Sequence, residues 1–170
     1  SDFREVVLRD RLLGAIRRLN PQLPGQQAEM VAKEIIDYNN ADLVLGNKEM
    51  FAWIADGKKH VWREAGEEKS DIVKLLDFAN PEANDFLIVN QFTVKGIDAV
   101  CRLDAVIFVN GLPLSVFELK SVAREAASIG EAYRDIEYYK KEVPKLFLYN
   151  QIIGLSDLAI AKHGTISSSW

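Results

Sequence analysis

Cysteine and histidine are scarce in this sequence: Cys101 stands alone, and His60 and His163 are the two imidazoles. A single cysteine excludes an intrachain disulfide, and two histidines beside it leave too few ligands for a structural zinc site. Cys101 is read as a small buried apolar residue. No apolar run approaches the roughly 18 residues a membrane helix needs. Nor is there a signal peptide, so the expectation is a cytoplasmic protein without a membrane partner. Cations are also short, with 21 Lys and Arg against 25 Asp and Glu and a net charge of −4. Affinity for nucleic acid comes chiefly from Lys and Arg neutralising phosphates. Tight DNA binding by this stretch alone is therefore not expected, and such a role needs metal ions at the site or another domain to hold the duplex. Internal repeats, low-complexity tracts, phosphate-cradling glycine loops and nucleophile elbows are all missing. The sequence opens on Ser1 and closes on Ser167-Ser168-Ser169-Trp170 without a terminating element, and is read as part of a longer chain.

What is present is enough for one domain with a proper core, at 170 residues and 48% apolar content. The organising stretch runs from Val100 to Lys120, VCRLDAVIFVNGLPLSVFELK. Ala105 to Val109 and Leu114 to Leu119 read as apolar strands around an Asn110-Gly111 turn. Asp104, Glu118 and Lys120 interrupt it. Side chains alternate faces along a strand, so Glu118 and Lys120 point the same way and Leu119 the other. Whether Asp104 joins them is a matter of register. A plain two-residue turn places it opposite Phe117, on the wrong face. A three-residue loop, Asn110 to Leu112, pairs Val109 with Pro113 and brings Asp104 opposite Glu118; a single bulge does the same. Pro113 cannot donate to a ladder and prefers a strand start, which favours the three-residue count. Convergence of Asp104, Glu118 and Lys120 is the expectation.

Two carboxylates brought together repel unless a cation sits between them or one keeps a proton. A hard divalent ion such as Mg²⁺ suits them, since it takes one or two carboxylates and leaves positions for water and substrate phosphate. A lysine beside such a site can orient or deprotonate a water and offset charge on a phosphorane. The combination suits phosphodiester hydrolysis.

Around the hairpin, apolar spacings of three and four predict helices over Phe3–Leu19, Gly25–Asn39 and Ala41–Ala55. Glu29 and Glu34 lie on the second of these and read as solvated surface acids. Lys58–Arg63 and Asp71–Phe78 read as strands separated by a polar loop or hairpin tip, Glu64 to Ser70. Phe86–Val94 is a further strand, interrupted by Asn90 and Gln91, which read as sheet-end hydrogen bonders. Asp98 is a turn former or a rival third carboxylate. Beyond Lys120 a helical stripe from Ala126 to Tyr139 stops at Val143-Pro144. Leu146–Tyr149 then reads as a strand, completing a strand-helix-strand crossover and a mixed sheet with helices packed on it. Asp135 and Tyr139, four apart, share a helix face. Lys140, Lys141 and Lys145 form a short basic cluster that fits a solvated helix end or phosphate contact.

The order of hairpin with Asp104, then Glu118-Leu119-Lys120, then helix and strand resembles the PD-(D/E)xK nuclease core. More closely, the chain resembles the N-terminal endonuclease domain of the restriction subunit of type I restriction-modification enzymes. The segments REVVLRDRL at Arg4 to Leu12, NDFLIVNQFTV at Asn84 to Val94, RLDAVIFVNGLPLSVFELK at Arg102 to Lys120 and YKKEVPKLFLYNQ at Tyr139 to Gln151 carry it. The resemblance implies an α/β fold with a central mixed sheet flanked by helices. It divides the chain into an N-terminal helical segment over 1–57 and a nuclease core over 58–170. It also implies Mg²⁺-dependent cleavage of unmodified double-stranded DNA, with Asp104 and Glu118 as metal ligands and Lys120 beside the attacking water. An ATP-driven helicase motor is implied downstream, and methyltransferase and specificity subunits as partners. Leu103 stands where the family has proline before the aspartate. The family's accessory Gln-x-x-x-Tyr falls on Asp135 and Tyr139, with an acid in place of the amide. Glu34, and less directly Glu29, are candidates for an early-helix glutamate. Two other readings remain open: a nuclease-like fold turned docking module, and a structural ion-pair cluster of Asp104, Glu118 and Lys120.

Overall fold

The strand that carries Glu118 lies in the middle of a five-stranded sheet, and the elements before and after it are arranged around that position. The computed structural model describes residues 5–120, 129–157 and 159–169. Helices α1 (Arg9–Leu19), α2 (Gly25–Asp37) and α3 (Leu43–Asp56) come first, followed by β1 (Lys58–Glu64) and β2 (Glu67–Val73). Then come β3 (Phe86–Lys95), β4 (Val100–Val109), β5 (Leu112–Leu119), α4 (Ile129–Glu142), α5 (Pro144–Tyr149), β6 (Ile152–Ser156) and β7 (Ala161–Gly164). The large sheet has the order β3-β4-β5-β6-β7, while β1 and β2 form a separate hairpin. The pair β5–β6 is parallel and its neighbours are antiparallel, so the sheet is mixed. A mixed sheet flanked by helices is consistent with a restriction-endonuclease-like fold. Among the described residues no helix is long and apolar enough to cross a membrane.

The apolar stripes bury as their spacing requires. Leu12 and Ile16 of α1, Val31 and Ile35 of α2, Val106 and Phe108 of β4, Val116 of β5 and Ile136 of α4 join one buried cluster. The first helix begins at Arg9, later than the expected Phe3, whose own placement lies outside the described residues. Val6 and Val7 are buried in the lead-in, and Leu8 N donates to Gly111 O at 2.9 Å, tying the chain to the central turn before the helix starts. Asp42 caps α3 by accepting from Leu45 N at 3.0 Å. The stretch from Glu64 to Ser70, expected as a loop or hairpin tip, is a hairpin tip that turns tightly at Ala65-Gly66, with φ of 51° and 87°, and β2 begins already at Glu67. Its polar residues form an exposed ladder in which Lys69 pairs with Glu64.

The run Leu146–Tyr149, expected as a strand, is helical. Pro144 occupies the first turn of α5, where its missing N–H costs nothing, and all four residues are buried. A short unbroken apolar run fits a buried strand or a buried helix equally well by pattern. The returning strand of the crossover is β6, paired parallel to β5 from Ser115↔Ile152 to Leu119↔Ser156. The expected stripe residue Ala126 lies outside the described residues.

The central turn is a two-residue one, not the three-residue loop expected: Val109 pairs with Leu112, and Asn110 and Gly111 have φ of 51° and 81°. Pairing then runs from Phe108↔Pro113 to Ile107↔Ser115, so Leu114 is an extra residue on β5, a bulge. The parity that the loop was expected to supply comes from this bulge instead. Gly111 has a second constraint, since a Cβ there would lie 2.5 Å from Leu8 O. Gly111→Ala is expected to destabilise the chain by about 2 kcal/mol through left-handed strain and that contact, as read by urea denaturation.

Candidate active site

Regular β4–β5 pairing ends at Ala105 opposite Phe117, and Asp104, the next residue of β4, reaches the end of β5 through its carboxylate. β5 alternates so that Val116 and Glu118 share the covered face of the sheet, and Glu118 is only 3% exposed. Lys120 follows two residues later on that same face, and its Nζ donates to Glu118 Oε1 at 2.9 Å. Its backbone N–H bonds to Ser156 O at 2.7 Å, which extends the β5–β6 pairing to the lysine. Asp104 Oδ2 accepts from Leu119 N at 2.8 Å, and Oδ1 accepts from Gln91 Nε2 at 3.1 Å. The fourth charge comes from α4: Asp135 pairs with Lys120 Nζ. One turn further, Tyr139 OH donates to Arg102 O at 3.1 Å, tying the helix to β4.

Asp104, Glu118, Lys120 and Asp135 are thus brought together, with Tyr139 against β4. The other acids considered from sequence are engaged elsewhere. Glu34 bonds Lys58 Nζ at 2.5 Å and approaches His60 Nδ1 at 3.6 Å. Glu29 pairs with Arg17. Asp98 lies in the β3–β4 connection, where Glu142 Oε2 accepts from its N–H at 2.9 Å. In the basic cluster, Lys140 bonds Glu137 and Ile166 O, and Lys145 bonds Tyr38 O.

Burial and crowding of like charge set the protonation states. Burial, reinforced by the charges of Asp104 and Asp135 and opposed by Lys120, pushes the Glu118 carboxyl up to about 7. For Lys120, burial alone lowers its pKa, but hydrogen bonds to Asp135 and Glu118 outweigh it and hold the group above the ordinary lysine range. Lys120 is therefore a firm cation here. Burial and the surrounding carboxylates also raise the Tyr139 phenol, which stays a neutral hydrogen-bond donor.

Among the described residues of this cluster Glu118 Oε2 is buried and unsatisfied. A buried carboxylate oxygen without a donor is costly. It fits a place for a cation, and two carboxylates with no sulfur or imidazole suit a hard divalent ion. Among the described residues no group of three or more His, Cys, Asp or Glu side chains is placed to hold a metal. Asp104 and Glu118 would hold such an ion only in part, leaving the remaining positions to water and substrate. Gln91, read from sequence as a sheet-end hydrogen bonder, lies within β3 and its hydrogen bond goes to the carboxylate of Asp104. Sequence reasoning left open what an acid at position 135 does, which is to share Lys120 with Glu118.

The chain is 38% identical over its whole length to the type I restriction enzyme HindI endonuclease subunit of Haemophilus influenzae, covering 16% of that protein. It is 34% identical over its whole length to the type I restriction enzyme MjaIXP endonuclease subunit named in Methanocaldococcus jannaschii, again covering 16%. The chain therefore spans about one sixth of the length of these relatives. The family model for the type I restriction enzyme R protein N terminus matches residues 1–169. With that match across nearly every residue, the hairpin of Asp104, Glu118 and Lys120 belongs to a member of the type I restriction enzyme R protein N-terminal family.

Proposed function

We propose that this chain is the endonuclease domain of a type I restriction subunit, hydrolysing phosphodiester bonds of unmodified double-stranded DNA with Mg²⁺ as cofactor. The observation that carries the reading is the meeting of Asp104, Glu118 and Lys120 on one strand pair, with Glu118 Oε2 buried and unpartnered among the described residues. When bound, the metal would supply Lewis-acid stabilisation of the phosphate and a more acidic water. Asp104 and Glu118 hold it, and the peptide N–H of Leu119 fixes one Asp104 oxygen in place. Lys120, hydrogen-bonded to Glu118 and paired with Asp135, is placed to act as a donor. It orients the water or a non-bridging oxygen and offsets the charge that develops on phosphorus. Tyr139, neutral and bonded to Arg102 O, keeps α4 against β4 so that Asp135 stays within reach of Lys120.

In this reading DNA is held and moved by an ATP-driven motor in the rest of the subunit, and methyltransferase and specificity subunits select the target. That division accommodates the net charge of −4. The test is DNA cleavage by the complete enzyme carrying Asp104→Ala. Cleavage is expected to vanish while ATP hydrolysis continues, and cleavage at the wild-type rate would refute the assignment.

A further inference from the structure

The strand β3 breaks its ladder at one place. Asn90 pairs with Ala105 and Phe92 with Leu103, but Gln91 and Asp104, which lie across from each other, do not pair as regular strand residues. Gln91 has a φ of 54°, in the left-handed region that a residue with a side chain enters at a cost. On both strands the set of inward-facing residues changes parity at this point. On β3 it passes from Leu87 and Val89 to Phe92 and Val94, and on β4 from Phe108 and Val106 to Leu103 and Cys101. The paired kink keeps register while turning Asp104 out of the alternation and toward the end of β5, where Leu119 N meets Oδ2. At the same kink Gln91 Nε2 donates to Oδ1 at 3.1 Å.

From these observations we propose that Gln91 is a positioning residue for the metal-binding carboxylate of Asp104, an inference that rests on the nuclease reading above. Among the described residues Gln91 supplies the side-chain donor to Asp104, and Leu119 supplies the backbone donor, one to each oxygen. Held at both oxygens, the carboxylate plane cannot rotate, yet each oxygen keeps lone pairs for a metal. A neutral amide suits this task, because it orients the carboxylate without cancelling its charge as Lys or Arg would. The left-handed backbone is what brings a side chain from β3 to that position, which accounts for strain inside an otherwise regular strand.

The experiment is Mn²⁺ titration of the complete subunit without nucleotide, with free Mn²⁺ followed by electron paramagnetic resonance. The difference between wild type and Asp104→Ala isolates this site. Gln91→Ala removes the amide. Gln91→Gly removes it too but takes a φ of +54° without strain, so the backbone is kept. Both variants are expected to weaken Mn²⁺ binding at the site roughly 10-fold or more. The Mn²⁺ concentration for half-maximal DNA cleavage should rise by a similar factor, with the rate at saturating Mn²⁺ close to wild type. A purely structural role would lower the rate at every Mn²⁺ concentration and leave the half-maximal point in place. Wild-type affinity in either variant overturns the assignment of Gln91. Identical binding by wild type and Asp104→Ala would instead overturn the metal site itself, and Gln91's role with it.

Discussion

Lys120→Ala in the complete enzyme is expected to lower DNA cleavage by on the order of 10²–10³-fold, the usual effect of removing one donor aimed at developing charge. ATP hydrolysis should be unchanged, because the motor lies outside this chain in the proposed arrangement. Two effects add. The ammonium proposed to offset charge on the phosphate is lost, and Glu118 and Asp135 lose the cation they share. Without it Glu118 is pushed further toward its protonated form at neutral pH, so the variant should also need more divalent ion for its residual activity. The fold should survive, since Glu118 can take a proton to relieve the repulsion; an unchanged far-UV circular dichroism spectrum would establish that. Lys120→Arg is not expected to restore cleavage, because a planar guanidinium cannot occupy the compact position between two carboxylates. Full cleavage by Lys120→Ala would favour a docking role for the hairpin, and unfolding of both Lys120→Ala and Asp104→Ala would favour a structural ion-pair cluster.

Metal-free protein is expected to lose stability as pH rises from about 4.5 to about 7, the interval between the ordinary Glu118 pKa and its folded value. The folded state keeps the Glu118 proton through this window and the unfolded chain releases it. Folding is therefore favoured most below the window and less with each step up through it. Integrated, the change is about 3 kcal/mol. Lys120 carries its charge in both states throughout this range and adds no slope. Asp157, whose pKa is lowered chiefly by its backbone hydrogen bond from Ile160, acts with the opposite sign at more acid pH. Urea denaturation at pH 5 and pH 7 should read about 2 kcal/mol of the change at Glu118, and Glu118→Gln should remove the difference. Saturating Mg²⁺ or Mn²⁺ should also flatten the slope, because an ion bound to the Glu118 carboxylate displaces its proton. A slope unchanged in Glu118→Gln would show that this carboxyl is not the titrating group.

Much of this arrangement follows from local pattern. Strand alternation alone sets Glu118 and Lys120 on one face, and Asn110-Gly111 alone marks the hairpin, because both depend on backbone geometry within a few residues. The side on which Asp104 falls does not. It depends on the bulge at Leu114 and on the kink shared by Gln91 and Asp104, and neither is visible until two strands are laid against each other. Helix α5 was equally hidden, since Leu146 to Tyr149 is apolar throughout and only packing decides whether such a run coils or extends.

By itself, then, the sequence determined which groups make up the candidate site: two acids, a lysine, and a helix bringing Asp135 and Tyr139 one turn apart. Tertiary structure decided what those groups are chemically. Burying Glu118 between Asp104 and Asp135 raises its pKa and leaves Oε2 without a donor among the described residues, and sharing Lys120 between Glu118 and Asp135 keeps it charged. Desolvation and charge proximity depend on neighbours far away along the chain, so no reading of periodicity contains them.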